Sequence, residues 1–436
     1  MSAAYIRRLA DSTAASTALC LRQTLRQQWF LLILIPFGLV LILAPLLPVA
    51  SETAAFRLLV KIALGAGSVV LSLGIILTGS NTLPSEIRDK TIQRSIGSPG
   101  GRLPALTGRI TAFSLLAAFC AFLGLAGTFL AFTIRAGSST EFAAASRQYI
   151  STAAEKHSYR IVNRPSNTRG ILWVTEKAPE ITWTFLCDSP APDGKLTFQI
   201  TPVVASSVKT KAKITFDKNC RKCSDSRTVM LSDNLPLNIE FAEILEHGQC
   251  HEITVKRLPG SSPFGFHIGK TELGNEKNGV SLLTGTRPFG ANLLAAWLIV
   301  WAKLTFVGSV AIFASTFLSA PVAGALSLLL YLLASILGFL SEFAQSIGKI
   351  GTHCHAHIHH AHQGPQELTF FQNIIKTLIT WFAKLFPDLS RFDAANALVW
   401  GRAIPLGFVL SALLYFLPYC ILLWFASALI LQRREF

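Results

Sequence analysis

Long apolar stretches dominate the pattern of hydrophobic and polar positions along this chain. A helix needs about 20 apolar residues to cross roughly 30 Å of hydrocarbon. Six windows approach or exceed this length: Phe30–Pro48, Leu58–Leu77, Ile110–Ile134, Leu293–Leu318, Val322–Leu340 and Leu406–Leu431. The pattern therefore predicts an all-α membrane protein with six transmembrane helices.

Residues 136–290, between the third and fourth windows, follow a different pattern. Apolar residues alternate with polar ones, as at Ile181, Trp183 and Phe185, and Ser, Thr, Asn, Asp and Pro punctuate the runs. We expect a short helix at residues 140–156 and then seven to nine strands. The segment is long enough to bury a core of its own. It is predicted to be an inserted, exoplasmic, mainly-β domain that resembles a sandwich.

The composition supports a membrane protein, because 51% of the residues are hydrophobic and only 14% are charged. The net charge of +15 does not indicate a nucleic-acid partner. Residues 136–290 carry 19 Lys and Arg against 15 Asp and Glu, so the basic excess is spread along the chain rather than concentrated on one face. Membrane topology and contact with anionic lipid account for the charge.

Basic residues in short loops set the orientation of membrane helices, because they stay in the cytoplasm. They collect before the first window, after the second and at the end of the chain: Arg7, Arg8, Arg22, Arg26, Arg88, Lys90, Arg94, Arg102, Arg109, Arg433 and Arg434. Both termini are therefore predicted to be cytoplasmic, and residues 136–290 and 342–403 exoplasmic.

These predictions divide the chain into six parts. They are a cytoplasmic amphipathic arm (1–28), helices one to three with a cytoplasmic loop at 81–109 (29–135), the β domain (136–290), helices four and five (291–341), an exoplasmic His-rich loop with an interfacial helix (342–403), and helix six with the cytoplasmic end (404–436).

The β domain contains four cysteines: Cys187, Cys220, Cys223 and Cys250. An even number in an oxidising compartment predicts two disulfides, for which three pairings exist. A zinc site is the alternative, because two of the cysteines have metal-type spacing and His247 and His251 flank a third.

A histidine tract opens the second exoplasmic connection. It contains six of the ten histidines of the chain around one cysteine: His353, Cys354, His355, His357, His359, His360 and His362. Imidazole and thiolate groups are ligands for transition metals, so the tract is a candidate metal site. A solvated tract that binds metal only weakly is the alternative.

A nucleotide site is not expected in this chain. The sequence GFHIGKT, residues 265–271, resembles a phosphate-binding loop, but the loop requires Gly where Phe264 stands. A turn between strands is the simpler interpretation. Any work driven by ATP would therefore need a separate subunit.

Three groups of residues carry a resemblance to a known family. The first follows helix two: Glu86, Lys90, Thr91, Ser98, Pro99, Arg102, Gly108 and Arg109. The second lies between helices four and five: Ser315, Ser319, Pro321 and Val322. The third is FPDLSRFD, residues 386–393, before a last helix that ends in QRREF. In order and spacing they resemble the permease subunit of type-two ATP-binding-cassette exporters, which has no counterpart of the β domain or the histidine tract.

The resemblance implies a function and partners. The loop after helix two would couple the chain to a cytoplasmic ATPase through Glu86, Arg88, Lys90, Thr91 and Arg94. ATP and Mg²⁺ would bind to that ATPase, and this chain would have no catalytic residues. Two permeases, identical or paralogous, would enclose the transport path in a bacterial cytoplasmic membrane.

Lys303 lies well inside the fourth window, and a charge within a membrane helix is a candidate functional group. Together with Ser315 and Ser319 it is a candidate for the translocation path. Snorkelling of its side chain towards the membrane surface is the alternative.

The rival function is that of a membrane-anchored protein whose exoplasmic domain binds a ligand or metal, as a sensor, without transport. A membrane enzyme is a weaker interpretation, because the chain lacks the spacing of a Ser/His/Asp triad, of paired catalytic carboxylates or of an HExxH helix.

Overall fold

The computed structural model forms two compact units. The helical unit contains Met1–Ser146, Gly290–Val399 and Ile404–Phe436, and the β unit contains Arg147–Phe289 and Trp400–Ala403. The residues that the structure describes are 3–26, 28–47, 52–88, 102–137, 140, 148–151, 157–161, 167–168, 171–176, 179–186, 196–204, 210–218, 221–231, 237–241, 250–267, 279–347, 374, 377, 381 and 387–433.

Helices make up the first unit. In chain order they are α1 (Ala3–Arg26), α2 (Gln28–Leu43), α3 (Glu52–Val60), α4 (Gly67–Arg88), α5 (Arg102–Ala136), α6 (Phe289–Ser315), α7 (Ala320–Ile347), α8 (Ala394–Val399) and α9 (Leu406–Arg433). A π-helical turn, Lys61–Ala66, joins α3 to α4 without a break. Short 3-10 turns lie at Ala44–Leu46 and Ser390–Phe392.

Five helical stretches among the described residues are long and apolar enough to cross a membrane. They are Ala54–Arg88, Leu103–Ala136, Phe289–Ser315, Ala320–Leu337 and Leu406–Arg433. These stretches confirm that the chain has the helices of a membrane protein, and they correspond to the second to sixth windows predicted from the sequence.

The first predicted window lies in α2 (Gln28–Leu43) and the 3-10 turn after it, and its described apolar stretch is Ile33–Leu46. The 16 residues of α2 extend about 24 Å at 1.5 Å per residue, which is less than the roughly 30 Å of the hydrocarbon layer. The α-helix gives way to the 3-10 turn at Ala44, where Pro45 supplies no N–H to continue the helical hydrogen bonds. Six full-length spans are therefore not confirmed.

Small residues allow the apolar helices to approach closely. A Cβ added at Gly124 of α5 would lie 2.1 Å from the Trp297 ring of α6, and one at Gly79 of α4 would lie 2.9 Å from Ala311. Trp301 of α6 also donates its indole N–H to the carbonyl of Ser114, at 3.0 Å. Close packing around small residues is the usual way in which membrane helices associate. α6 is the most buried of the five long helical stretches.

Antiparallel strands make up the second unit. They are β1 (Gln148–Ser151), β2 (His157–Ile161), β3 (Asn167–Thr168), β4 (Ile171–Val174), β5 (Glu180–Leu186), β6 (Leu196–Ile200), β7 (Pro202–Val204), β8 (Thr210–Lys218), β9 (Arg221–Leu231), β10 (Leu237–Phe241), β11 (Cys250–Arg257), β12 (Phe264–His267) and β13 (Val280–Arg287). They form three sheets, in the orders β1-β13-β6-β10, β2-β5-β11-β8-β9 and β3-β4-β12-β7.

One apolar core serves all three sheets. The predicted alternation at Ile181, Trp183 and Phe185 is confirmed, because all three side chains are buried in this core. Phe198 of β6 stacks obliquely on Phe185 and Phe216, and Trp183 meets Phe266 edge to face. The mainly-β insertion predicted from the sequence is therefore present.

Two details of that prediction were wrong. Gln148–Ser151 lies within the helix expected at residues 140–156, but it is strand β1 and pairs with β13. Tyr149 and Ile150 are favourable strand residues, and the partner strand decides their conformation. The described strands also exceed the seven to nine expected, because short strands such as β3 and β7 lack a pattern of their own.

The stretch Trp400–Ala403 belongs to the β unit although it lies far away in sequence. The buried Gln199 of β6 donates its amide to the carbonyl of Trp400, at 3.1 Å, and accepts a hydrogen bond from Arg402. Burial lowers the pKa of the Arg402 guanidinium, and Gly401 allows the turn with a φ of 71°. These contacts attach the residues before α9 to the β sheets.

A candidate coupling site at the ends of two helices

Glu86 and Arg109 form a buried ion pair within the helical unit. Glu86 lies in the last turn of α4 and Arg109 lies near the start of α5, and Arg109 donates through Nη2 to Glu86 Oε2. Only 7% of Glu86 and 3% of Arg109 are exposed. The ion pair therefore joins the two helix ends that the loop connects.

The arm α1 packs along the start of α5 beside this pair. Gly108 permits the approach, because a Cβ at that position would lie 2.6 Å from the Ser16 side chain. Ser16 donates its hydroxyl to the carbonyl of Ala105, at 3.3 Å, and the hydroxyls of Thr17 and Thr111 lie 2.7 Å apart. The predicted amphipathic arm is thus a packed part of the helical unit.

Cys20 of α1 is buried next to the ion pair, with 2% of its surface exposed. Burial raises the pKa of its thiol to about 11, the charge of Arg109 opposes this rise, and Glu86 adds to it. The thiol is therefore protonated and inert at neutral pH. The reactivity of the Cys20 thiol therefore indicates whether α1 is packed on α5 and whether the Glu86–Arg109 pair is intact.

The pair has the geometry of a structural contact rather than of an exposed docking surface. The Nε and Nη1 atoms of Arg109 are buried and have no hydrogen-bond partner among the described residues. An arginine in this state depends on its carboxylate for compensation of its charge, and losing one member of a buried pair costs about 3–5 kcal/mol. Glu86 therefore holds α4 and α5 together.

The structure describes two of the five predicted coupling residues. Glu86 is buried, whereas Arg88, at the end of α4, is exposed. Lys90, Thr91 and Arg94 lie outside the described residues. The role of Arg109 as the partner of Glu86 was missed, although the signal was present: an acidic and a basic residue flank the same loop, each next to an apolar helix.

The candidate path residues do not form one site. Ser315 is buried and donates its hydroxyl to the carbonyl of Ile312, at 2.7 Å, whereas Ser319 is exposed at the turn before α7. Lys303 is twelve residues before Ser315 on α6, about 18 Å along the helix axis. The three residues therefore occupy separate environments.

Lys303 instead interacts electrostatically with Asp393 and Asp388. Both carboxylates already accept local hydrogen bonds. Asp388 Oδ1 accepts from Ser390, and Asp393 Oδ1 accepts from the N–H of Ala395 at the start of α8. The half-buried lysine thus balances the charge of a segment that its own turns already stabilise.

That segment, residues 387–393, packs among the helices. Leu389 donates its N–H to the carbonyl of Ala334, at 3.2 Å, near the middle of α7. Asp388 donates its N–H to the Tyr415 hydroxyl of α9, at 3.0 Å, and Phe392 contacts the rings of Phe408 and Phe416. The sequence placed this segment in the exoplasmic connection, whereas its contacts lie one third to one half of the way along two apolar helices.

The predicted metal and disulfide sites fall outside what the structure describes. This applies to the whole histidine tract, to Cys187 and Cys220, and to the side chains of Cys223 and Cys250. Among the described residues no group of three metal-binding side chains occurs, and Cys20, Cys120 and Cys420 are free thiols. The interfacial helix is described at three residues, Ile374, Thr377 and Trp381, which are helical and exposed.

Comparison with known proteins yields little. No family model matches the chain, and no curated protein matches it. One similar solved structure is that of TmCBM61 in complex with beta-1,4-galactotriose, at 13% identity over 29% of this chain and 88% of that chain, with a TM-score of 0.16. A likeness of this size carries no argument about fold or function.

Proposed function

We propose that this chain is the permease subunit of an ATP-driven exporter, which forms the translocation path as a dimer and is driven by separate cytoplasmic ATPase subunits. The observation that carries the proposal is the buried Glu86–Arg109 pair with α1 packed beside it. The resemblance of the sequence to type-two exporter permeases supplies the function, and the pair supplies a physical route for coupling.

The coupling route follows from the ion pair that joins the ends of α4 and α5. A force applied to the loop after α4 reaches two apolar helices at once, because Glu86 and Arg109 join their ends. Arg88, Lys90, Thr91 and Arg94 are then the docking residues for the ATPase, and Glu86 is the residue that transmits its movement. Closure of the ATPases on ATP would tilt α4 and α5 together rather than bend the loop.

Six crossings fit the contacts of the helical unit. Asn292, near the start of α6, accepts a hydrogen bond from the N–H of Ile404, just before α9, at 2.6 Å. Helices that begin side by side start on the same side of the bilayer, so α7 returns the chain and residues 342–403 make no full crossing. The shorter α2 would be the first crossing, accommodated by local thinning of the bilayer. Both termini are then cytoplasmic.

Replacing residues 89–95 by a Gly/Ser linker of equal length tests the proposal. We expect an ATP-binding-cassette ATPase to copurify with the wild-type chain and to be reduced at least tenfold with this variant. A control variant carries the same kind of linker at residues 205–209 of the β unit and should retain the ATPase. The absence of any ATPase from the wild-type preparation would refute the exporter and favour a membrane-anchored binding protein.

A further inference from the structure

A cavity of about 340 Å³ lies between three apolar helices of the helical unit, α6, α7 and α9. Its α7 wall is formed by Ser327, Leu330, Tyr331 and Ala334, which are spaced i, i+3, i+4 and i+7 and so share one face of the helix. Seven residues of helix correspond to about 10.5 Å, so the cavity is elongated along the helix axes.

The α9 wall shows the same spacing and is formed by Tyr419, Leu422, Leu423 and Ala426. The α6 wall is formed by Phe306, Val307, Val310 and Phe313. α7 packs mainly on α4 and α9 packs mainly on α5, and the space that α7 and α9 leave beside α6 is the cavity. Small side chains at Ser327, Ala334 and Ala426 widen that space.

The cavity has one further lining residue and an open side. The lining residue is Pro387, and the polar groups of the next residue, Asp388, bond to Ser390 and Tyr415 instead. The side is open, because Leu422 forms part of the wall and is still 64% exposed. In a membrane-spanning helix that exposed surface faces hydrocarbon. The opening therefore leads into the bilayer and not into water.

The size and chemistry of the cavity select its occupant. Apart from one serine and two tyrosine hydroxyls the wall is apolar, so water would find few partners there. A helix of a second subunit, about 10 Å wide, is too large for 340 Å³. A single alkyl chain is narrow, elongated and abundant at the opening.

We infer that the cavity between α6, α7 and α9 binds one alkyl chain of a lipid, which enters from the bilayer between α7 and α9. The site does not depend on transport, because its geometry is the same whether or not the chain is a permease. The alkyl chain belongs either to a membrane phospholipid that resides there or to a lipid cargo, and the two sources share the same chemistry at the cavity wall.

Photolabelling tests the site on the full-length protein in nanodiscs of phosphatidylethanolamine and phosphatidylglycerol. The probe is a phosphatidylcholine with a diazirine in one acyl chain, and the labelled residues are mapped by mass spectrometry. Leu330 lines the cavity and its neighbour Leu329 is 63% exposed, so Leu329 reports ordinary contact with the bilayer. We expect labelling at both residues in the wild type.

Two Ala→Trp variants distinguish the cavity from the bilayer. Ala426→Trp fills the cavity and should reduce labelling at Leu330 at least fivefold while leaving Leu329 unchanged. Ala126→Trp adds the same volume on the exposed face of α5, away from both reporters, and should change neither. Ser327→Leu, a smaller addition to the same wall, serves if Ala426→Trp does not fold. Equal labelling of Leu330 in the filled and control variants would overturn the inference.

Native mass spectrometry of protein taken directly from membranes then separates the two sources. A bound phospholipid of the host membrane identifies a resident lipid, and a bound lipid of another class identifies a cargo; each supports the alkyl-chain site. Protein without bound lipid that also lacks labelling at Leu330 would overturn it. Absence of an ATPase from the wild-type preparation would refute the exporter and leave this result unaffected, so the two proposals fail separately.

Discussion

The helical unit contains two groups of charged residues that look alike in sequence and differ in structure. Glu86 and Arg109 make a direct hydrogen bond, and both side chains are buried. Lys303 is half-buried, and its acidic neighbours Asp388 and Asp393 are engaged with their own turns. The first group joins two helices, whereas the second balances charge within a segment held by other contacts. Burial and the direct hydrogen bond between the two side chains, rather than charge itself, separate the first group from the second.

The largest expected effect follows from breaking the Glu86–Arg109 pair. Glu86→Ala leaves the guanidinium buried without its carboxylate, so we expect the free energy of unfolding to fall by about 3–5 kcal/mol. Glu86→Gln keeps a hydrogen-bond acceptor and should lose less. Denaturant unfolding of the purified protein in detergent micelles measures both. An Ala variant as stable as the wild type would contradict the structural role of the pair.

The reactivity of the Cys20 thiol gives a second measurement at the Glu86–Arg109 pair. With its pKa raised from 9.0 to about 11, the thiolate fraction below pH 9 is about a hundredfold lower than for an ordinary thiol. Alkylation of Cys20 by iodoacetamide should therefore be correspondingly slow at pH 7.5 and should rise with pH up to about 11. Peptide mass spectrometry measures this rate.

Glu86→Ala provides the matched variant for that measurement. It removes a charge that raises the thiol pKa and loosens the packing of α1, so both effects should accelerate the labelling of Cys20, by at least tenfold. The rate at Cys120, which is buried in α5, should not change. Equal acceleration at both cysteines would indicate global unfolding instead of a local effect at the pair.

A smaller effect is expected at the second charged group. Lys303→Met removes the positive charge but leaves the hydrogen bonds of Asp388 and Asp393, so we expect a loss of about 1–2 kcal/mol. The same denaturant unfolding experiment measures it. A loss as large as that of Glu86→Ala would show that the two groups do not differ as proposed here.

The sequence predicts which helices and strands form better than it predicts which of them pack or pair with each other. Apolar length identifies the five long helices, and alternation identifies strands such as β5, because both depend on local pattern. The shortening of the first helix follows from Pro45 and could have been anticipated. Strand β1 could not, because its pairing with β13 joins residues more than 130 positions apart.

The candidate site shows the same limit. The sequence predicts Glu86 as a coupling residue, but pattern alone does not reveal whether a helix-terminal carboxylate faces a partner protein or a neighbouring helix. Likewise, Asp388 and Asp393 give FPDLSRFD the composition of a loop. Its place among the helices depends on backbone hydrogen bonds to Ala334 and Tyr415, which no local pattern encodes.

A crosslink from the exposed end of α4 tests the proposed coupling to an ATPase most directly. A photoreactive amino acid at Arg88, which is exposed beside the buried pair, should form a covalent adduct with a cytoplasmic ATPase identified by its peptides. The same amino acid at Met230, exposed in the β unit, should not. An ATPase adduct at Arg88 alone is the predicted result; no ATPase adduct at Arg88, or equal adducts at both positions, would contradict the proposal that this loop is driven by an ATPase.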